Sequence, residues 1–203
     1  MCRFVNLILG LIISLMVVSC VKLDNNLEGW GKYVDADKDV IYHIGIDKEV
    51  RFNGDVSAYL SSENGGEDDF GTLMQACWAK EFSGHKVRLS AFVKTSEVTA
   101  WAGLWFRIDD VEGNTINFEN MLDRPIKGTT DWKEYSILLD VPNNSARLLY
   151  GVLLYGTGNV WLDKVSIQKT ELIKPDTTKV LEFNANIEGY KEPINLDFEK
   201  SGN

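Results

Sequence analysis

Between Asp39 and Gln168 the chain alternates short apolar stretches with polar punctuation. The stretches read DVIYHIGID, VSAYLSS, GTLMQACWA, KVRLSAFVKT, TAWAGLWFRID, NTINFENM, KEYSILLDV, RLLYGVLLYGT and NVWLDKVSIQ. Gly, Asn and Asp separate them, as in NGGEDD, VEGN, VPNN and GTGN. Within KVRLSAFVKT, Val87, Leu89, Ala91 and Val93 oppose Arg88, Ser90, Phe92 and Lys94, the period of two expected of a strand with one buried face. No stretch sustains a period of 3.6, so the predicted class is all-β. About nine antiparallel strands would leave edges and a face uncovered in a single open sheet, which predicts a two-sheet antiparallel β-sandwich, a jelly roll.

One strand carries an unusual second face. In WAGLWFRID, Ala102, Leu104, Phe106 and Ile108 form an ordinary core stripe, whereas Trp101, Gly103, Trp105, Arg107 and Asp109 share the other side. Indoles stack on the C–H faces of sugars, and planar polar side chains pair with hydroxyls, so Trp101, Trp105, Arg107 and Asp109 are candidate ligand-binding residues. The segment ENMLDRP adds Asn120, Asp123 and Arg124. The alternative is structural: Trp105 packs under a loop and Arg107 pairs with Asp109 or Asp123, tying strands together.

The amino terminus predicts the compartment. Arg3 precedes an apolar run from Phe4 to Val18, too short for a comfortable membrane span and in proportion for a secretory signal. The run ends in Val17-Val18-Ser19-Cys20, which resembles the bacterial lipobox; the resemblance implies cleavage before Cys20 and acylation of its thiol. Two or three acyl chains, each buried methylene adding about 0.8 kcal/mol, would hold the chain at a membrane. The alternative is a plain signal that happens to contain a cysteine. Val21 after the cysteine favours the outer membrane of the cell envelope as the expected location. Of three cysteines, Cys2 falls in the signal and Cys20 would be acylated, so Cys77 has no partner and a disulfide framework is excluded; in its apolar strand it reads as a packed thiol.

The formal net charge is −9, and loss of Arg3 with the signal makes it one unit more negative. No dense Lys/Arg cluster is present, which excludes a nucleic-acid partner. There are two histidines, His43 and His85, without metal-ligand spacing, and there is no Gly-x-Ser-x-Gly elbow.

The pieces TTDWKEYSILLDVP and LLYGVLLYGTGNVWLDKVSIQ resemble the second half of galactose-binding-like jelly rolls, the superfamily that holds many carbohydrate-binding modules; YHIGIDKEVRFNGDVSAYLSS is similar to their opening. FGTLMQ, AGLWFRID, ENMLDRPIKGTTDW and LLYGTGNVWLDKV, in that order, resemble a branch of such domains found beside esterase-like and protease-like hydrolase domains and in helix-turn-helix regulators. The resemblance spans about residues 28–170 and implies a galactose-binding-like fold and a carbohydrate or similar polar ligand. It also implies a structural calcium as the only candidate cofactor. Its candidate ligands are the acidic loop SSENGGEDDF, Glu28 and Asp163, although the loop lacks an EF-hand pattern and reads first as a solvated acidic loop.

The expected organisation is a signal peptide at 1–19, a lipid-anchored linker at 20–27, the sandwich at 28–170, and a linker and tail at 171–203. The tail ends in NLDFEKSGN, which resembles the opening of such a domain, as NNLEGW does more loosely at Asn25–Trp30; Asn195–Asn203 is therefore a candidate stub of a second module or else a surface tail. Three functional readings stand in order. The first is noncatalytic recognition of a carbohydrate, the second is an envelope module whose aromatic face docks a partner protein, and the third is glycoside cleavage by Asp109 with Glu119 or Asp123.

Overall fold

The structure, a computed structural model, describes residues 27–172 and 189–200. The signal, Cys20 and the following linker lie outside the described residues. Among the described residues there is no helix. Nine strands run in the order β1 (Gly31–Asp35), β2 (Tyr42–Asp47), β3 (Ser57–Ser62), β4 (Phe70–Trp78), β5 (His85–Asp109), β6 (Thr115–Glu119), β7 (Ile126–Val141), β8 (Arg147–Tyr155) and β9 (Gly158–Leu172). Every strand pairing is antiparallel, as the sequence predicts.

The two stretches expected as separate strands, KVRLSAFVKT and TAWAGLWFRID, are one continuous strand, β5. Its first half pairs with β7 and β9 and its second half with β8 and β6. The register shifts between Val93 and Ala102, where Glu97 adopts φ 55°, mark the place where β5 passes from one sheet to the other. The hydrogen-bonded path β1-β4-β8-β5-β9-β3-β2, with β6 and β7 added on β5, thereby folds into two layers that share one strand. One layer is β1-β4-β8-β5-β6 and the other β7-β5-β9-β3-β2. β1 has no counterpart among the predicted strands, because GKYVD is short and only its first residue is buried.

The core lies between the layers. Val87, Leu89, Ala91 and Val93 from the first half of β5 and Ala102, Leu104, Phe106 and Ile108 from the second are at most 1% exposed, so both inward stripes read from the sequence face the core. Leu148, Tyr150, Val152 and Leu154 of β8 and Val160 and Leu162 of β9 complete it. Each fully buried side chain of this size stabilises the fold by roughly 1.5–3 kcal/mol.

The segment read as a stub or surface tail belongs to this core. Phe198 is fully buried with its ring 5.0 Å from Trp30, and Trp30 Nε1 donates to the Asn195 carbonyl at 3.0 Å. Ile194 exchanges two hydrogen bonds with the Gln75 side chain, and Val165 donates to the Leu196 carbonyl. Tyr190 continues the edge of β4 beyond the end of β1: its N–H donates to Ala76 and its carbonyl accepts from Trp78. Asn195 and Phe198, both at positive φ, make a tight turn that packs the Phe198 ring against Trp30.

Candidate functional site

The outward face of the layer β1-β4-β8-β5-β6 is assembled by register. Residues paired across strands share a face, so Trp101 lies beside Tyr155 and Tyr155 beside Phe70, while Arg107 lies beside Leu149 and Asp109 beside Arg147. Trp101, Trp105, Arg107 and Asp109 do share one side, as predicted. What they do there differs from one to the next.

At one end the face is aromatic. The Trp101 and Tyr155 rings stack at 4.8 Å and 12°, Tyr155 and Phe70 at 4.9 Å and 29°, and Tyr33 of β1 leans on Phe70 at 6.2 Å. All four rings are half-buried, which leaves a ladder four strands wide whose rings stack on one another and keep part of their surface in solvent. Burial, then the nearby Asp35 carboxylate, pushes the Tyr33 phenol above its usual range; Tyr155 is raised by burial, Asp35 and Asp68. Both phenols therefore stay protonated and can donate, beside carboxylates that can accept. Hydroxyl-rich ligands need that combination.

In the middle the face is closed. Trp105 is 8% exposed, and its Nε1–H donates to Thr72 Oγ1 at 2.7 Å while the Thr72 hydroxyl donates to the Val152 carbonyl at 2.9 Å. Leu149 and Leu153 pack against it. The candidate stacking role of Trp105 is thus replaced by an anchoring one, because a buried indole with a satisfied N–H has no open face to offer.

At the far end the face is charged. Arg107 grips Asp109 with Nε–Oδ1 at 2.8 Å and Nη2–Oδ2 at 2.6 Å, and Arg147 Nη2 lies 3.5 Å from the same carboxylate. Asp109 is fully buried. Beyond this cluster Lys191 Nζ sits 5.9 Å from the Trp78 ring centroid.

The remaining predicted residues fall elsewhere. Glu119 pairs in register with the inward-facing Phe106, so it lies on the opposite side of the strand from Arg107. Arg124 binds Glu119 at 2.6 Å, Asp123 at 2.9 Å and the Ser136 carbonyl at 3.1 Å, and this places Asp123 and Arg124 with that opposite side. A catalytic pair of Asp109 with Glu119 or Asp123 has no geometric basis here. Asn120 is spent locally, its Oδ1 accepting from Leu122 N, although its backbone carbonyl closes on Gly103, where a Cβ would approach it to 3.0 Å. Asp163 accepts from the N–H groups of Phe52, Asn53 and Lys164, and Glu28 is exposed and contributes a backbone carbonyl to Asn195. Among the described residues no group of three or more His, Cys, Asp or Glu side chains is placed to hold a metal ion.

Tyr33, Phe70, Tyr155 and Arg147 escaped the sequence reading. In RLLYGVLLYGT both faces are apolar, so alternation does not separate the outward Arg147, Leu149, Leu153 and Tyr155 from the inward set. Phe70 opens its strand beside an acidic turn, and Tyr33 belongs to the strand that was not predicted.

No protein-family profile matches the chain. The sequence is 38% identical over 181 residues to an uncharacterized HTH-type transcriptional regulator, YbfP, of Bacillus subtilis (strain 168); the match covers 88% of this chain and 59% of that protein. The chain thus spans less than two thirds of the relative, and the helix-turn-helix of that relative's name has no counterpart among the described residues. Among solved structures, the enzymatically active domain of tailspike protein 4 of bacteriophage CBA120 superposes with a TM-score of 0.54 at 16% identity, over 72% of this chain and 20% of that one. The carbohydrate-binding and catalytic modules of Clostridium thermocellum xylanase 10B, complexed with xylohexaose, reach 0.52 at 17% identity over 71% of this chain and 27% of that one. A carbohydrate-binding module of the β-sandwich superfamily reaches 0.50 at 11% identity over 71% of this chain and 59% of that one. The fold is therefore an all-β antiparallel sandwich of the kind that carbohydrate-binding modules use.

Proposed function

We propose that this protein binds a saccharide, without cleaving it, on the outward face of the layer β1-β4-β8-β5-β6. The observation that carries the reading is the aromatic ladder Trp101–Tyr155–Phe70–Tyr33. The four half-buried rings lie on adjacent strands with their faces turned toward one another, so they offer a row of apolar ring edges bordered by two protonated phenols and the Asp35 carboxylate. The C–H faces of sugars pack against such a row, and their hydroxyls exchange hydrogen bonds at its rim. A carbohydrate-binding module of like fold, in a two-module xylanase complexed with xylohexaose, supports the ligand class.

Titration of a glycan panel against the full chain, followed by tryptophan fluorescence and calorimetry, tests the reading. At least one neutral oligosaccharide is expected to bind, and Trp101→Ala is expected to weaken it by about tenfold or more, the loss of one stacked ring, without a matching loss of stability. Absence of binding to every glycan, or unchanged binding by Trp101→Ala, overturns it. The same proposal places the sandwich at a membrane surface through an acylated Cys20, where it would hold the cell envelope against a polysaccharide.

A further inference from the structure

We propose that the sandwich carries a second saccharide-binding face, on the outward side of the layer β7-β5-β9-β3-β2, and that this face takes a neutral sugar chain. The inference goes beyond the reading above, because the two faces belong to opposite layers and share no side chain.

Register aligns two rows across this face. Gly45, Tyr59, Trp161 and Lys94 pair in succession across β2, β3, β9 and β5, and His43, Ser61, Asn159 and Ser96 pair in succession two residues further along the same strands. A step of two residues stays on one face, so the rows run side by side about 7 Å apart. The residues out of step with them, Ala58, Leu60, Val160 and Leu162, are buried in the core, and both rows therefore point away from it.

The two rings of the first row lie flat on the sheet. Trp161 belongs to β9, yet its Nε1–H donates to Asp47 Oδ2 at 2.8 Å on β2, two strands away. A span of about 10 Å is reached with the indole laid across β3, where Ser57, paired with Asp47, is small and fully buried. Tyr59 leans over β2: a Cβ at Gly45 would meet its ring at 2.7 Å, so the phenol rests on bare backbone. Both rings are half-buried, and among the described residues neither stacks on another aromatic ring. Each has one side on the sheet and the other for a ligand, unlike Trp101 and Tyr155, whose faces are turned to each other.

The second row supplies hydrogen bonds. The side chains of Ser61, Asn159 and Ser96 are half-buried and make no hydrogen bond among the described residues, so donors and acceptors run along the border of the rings. A sugar presents the complement, an apolar C–H face rimmed by hydroxyls. Charge selects a neutral one. Lys94, the lysine of these rows, is matched by Asp131 at 2.8 Å, Asp47 stands under the indole, and the chain carries −9, so an acidic sugar meets repulsion that no unpaired ammonium in the rows offsets. One chain can then hold two sugar chains, one on each side of the sandwich.

Calorimetric titration of the full chain with short neutral oligosaccharides, xylohexaose among them, counts the sites. Two molecules are expected to bind per chain, falling to one in Trp161→Ala and to one in Trp101→Ala. Should Trp161→Ala unfold the domain, Ser61→Ala combined with Asn159→Ala, which leaves the core untouched, is expected to weaken one of the two sites by about tenfold, the loss of a pair of hydrogen bonds. A stoichiometry of one that Trp101→Ala abolishes and the Trp161 and Ser61/Asn159 variants leave unchanged overturns the second face while the first reading stands. A stoichiometry of one that Trp161→Ala abolishes and Trp101→Ala leaves unchanged supports this face and overturns the first reading. Tighter binding of an oligogalacturonate than of every neutral oligomer at the site lost in Trp161→Ala overturns the neutral assignment, and failure of all saccharides to bind overturns both proposals.

Discussion

At the scale of single residues, side chains that look equivalent in the sequence separate by what they touch. Trp101 and Trp105 lie four residues apart on one face, yet the first stacks half-open on Tyr155 and the second is buried with its N–H bound to Thr72. Trp105→Ala is therefore expected to cost about 3–5 kcal/mol, comparable to Phe106→Ala in the core, and Trp101→Ala distinctly less; urea denaturation of the three variants checks the order. Cys77 is fully buried, and burial, only partly countered by the Tyr150 hydroxyl, pushes its thiol up to about 12. It should resist a thiol reagent at neutral pH in the folded chain and react on unfolding. Two aspartates carry opposite pH signatures. Burial alone would raise Asp47, but hydrogen bonds from Val50 N–H, Trp161 Nε1 and Glu49 N–H outweigh it and hold the group below its ordinary 3.8. Its stabilisation is present above that value and is lost as pH falls through the folded value. Asp163 is raised by burial, against the pull of three backbone N–H groups and with the push of Glu199, so its stabilisation is present below 3.8 and lost as pH rises through the folded value. Melting temperatures across acid pH should show the wild type converging on Asp47→Asn and gaining on Asp163→Asn as the pH falls.

At the scale of elements, the second half of β5 decides the site because one of its faces builds the core and the other the proposed ligand surface. β8 must approach β4 closely for that surface to be continuous. Gly151 permits the approach, since a Cβ there would collide with the Leu73 carbonyl, a backbone atom that cannot swing away. Gly151→Ala is expected to destabilise the domain by more than 1 kcal/mol and to disturb the ladder, read as a changed tryptophan emission as well as a lowered denaturation midpoint. The segment 189–200 acts as an element without being a strand. Phe198→Ala should cost about 3–5 kcal/mol by opening a cavity against Trp30 and Tyr150. A change within ±0.5 kcal/mol, the range of a surface substitution, would mean that the segment is not part of the folded unit.

At the scale of the whole molecule, the sandwich separates two jobs. Its interior buries Cys77 as a free thiol, with no disulfide among the described residues, and its outward face on one layer gathers side chains from five strands that are scattered from Tyr33 to Tyr155 in the sequence. The proposed membrane anchor is an independent matter at the amino terminus. Cys20→Ser is expected to abolish acylation and move the protein to the soluble fraction or leave it unprocessed; a mutant that still fractionates with membranes after normal processing contradicts the anchor.

The strand class, most strand positions and both inward stripes of β5 were legible in the sequence, because a period of two is a local property of strands with one buried face. So was the presence of indole, guanidinium and carboxylate on one side of WAGLWFRID. Three features were decided only by the tertiary structure. Register across strands, which depends on partners far away in the chain, assembled the ladder from Tyr33, Phe70, Trp101 and Tyr155 and divided Arg124 from Arg107. Burial, which depends on what lies over a face, turned Trp105 from a stacking surface into an anchor. The docking of Phe198 against Trp30 joined the two ends of the described chain, a contact between residues with no local signal for each other, since the gain comes from apolar surface removed from water and not from any pattern in the sequence.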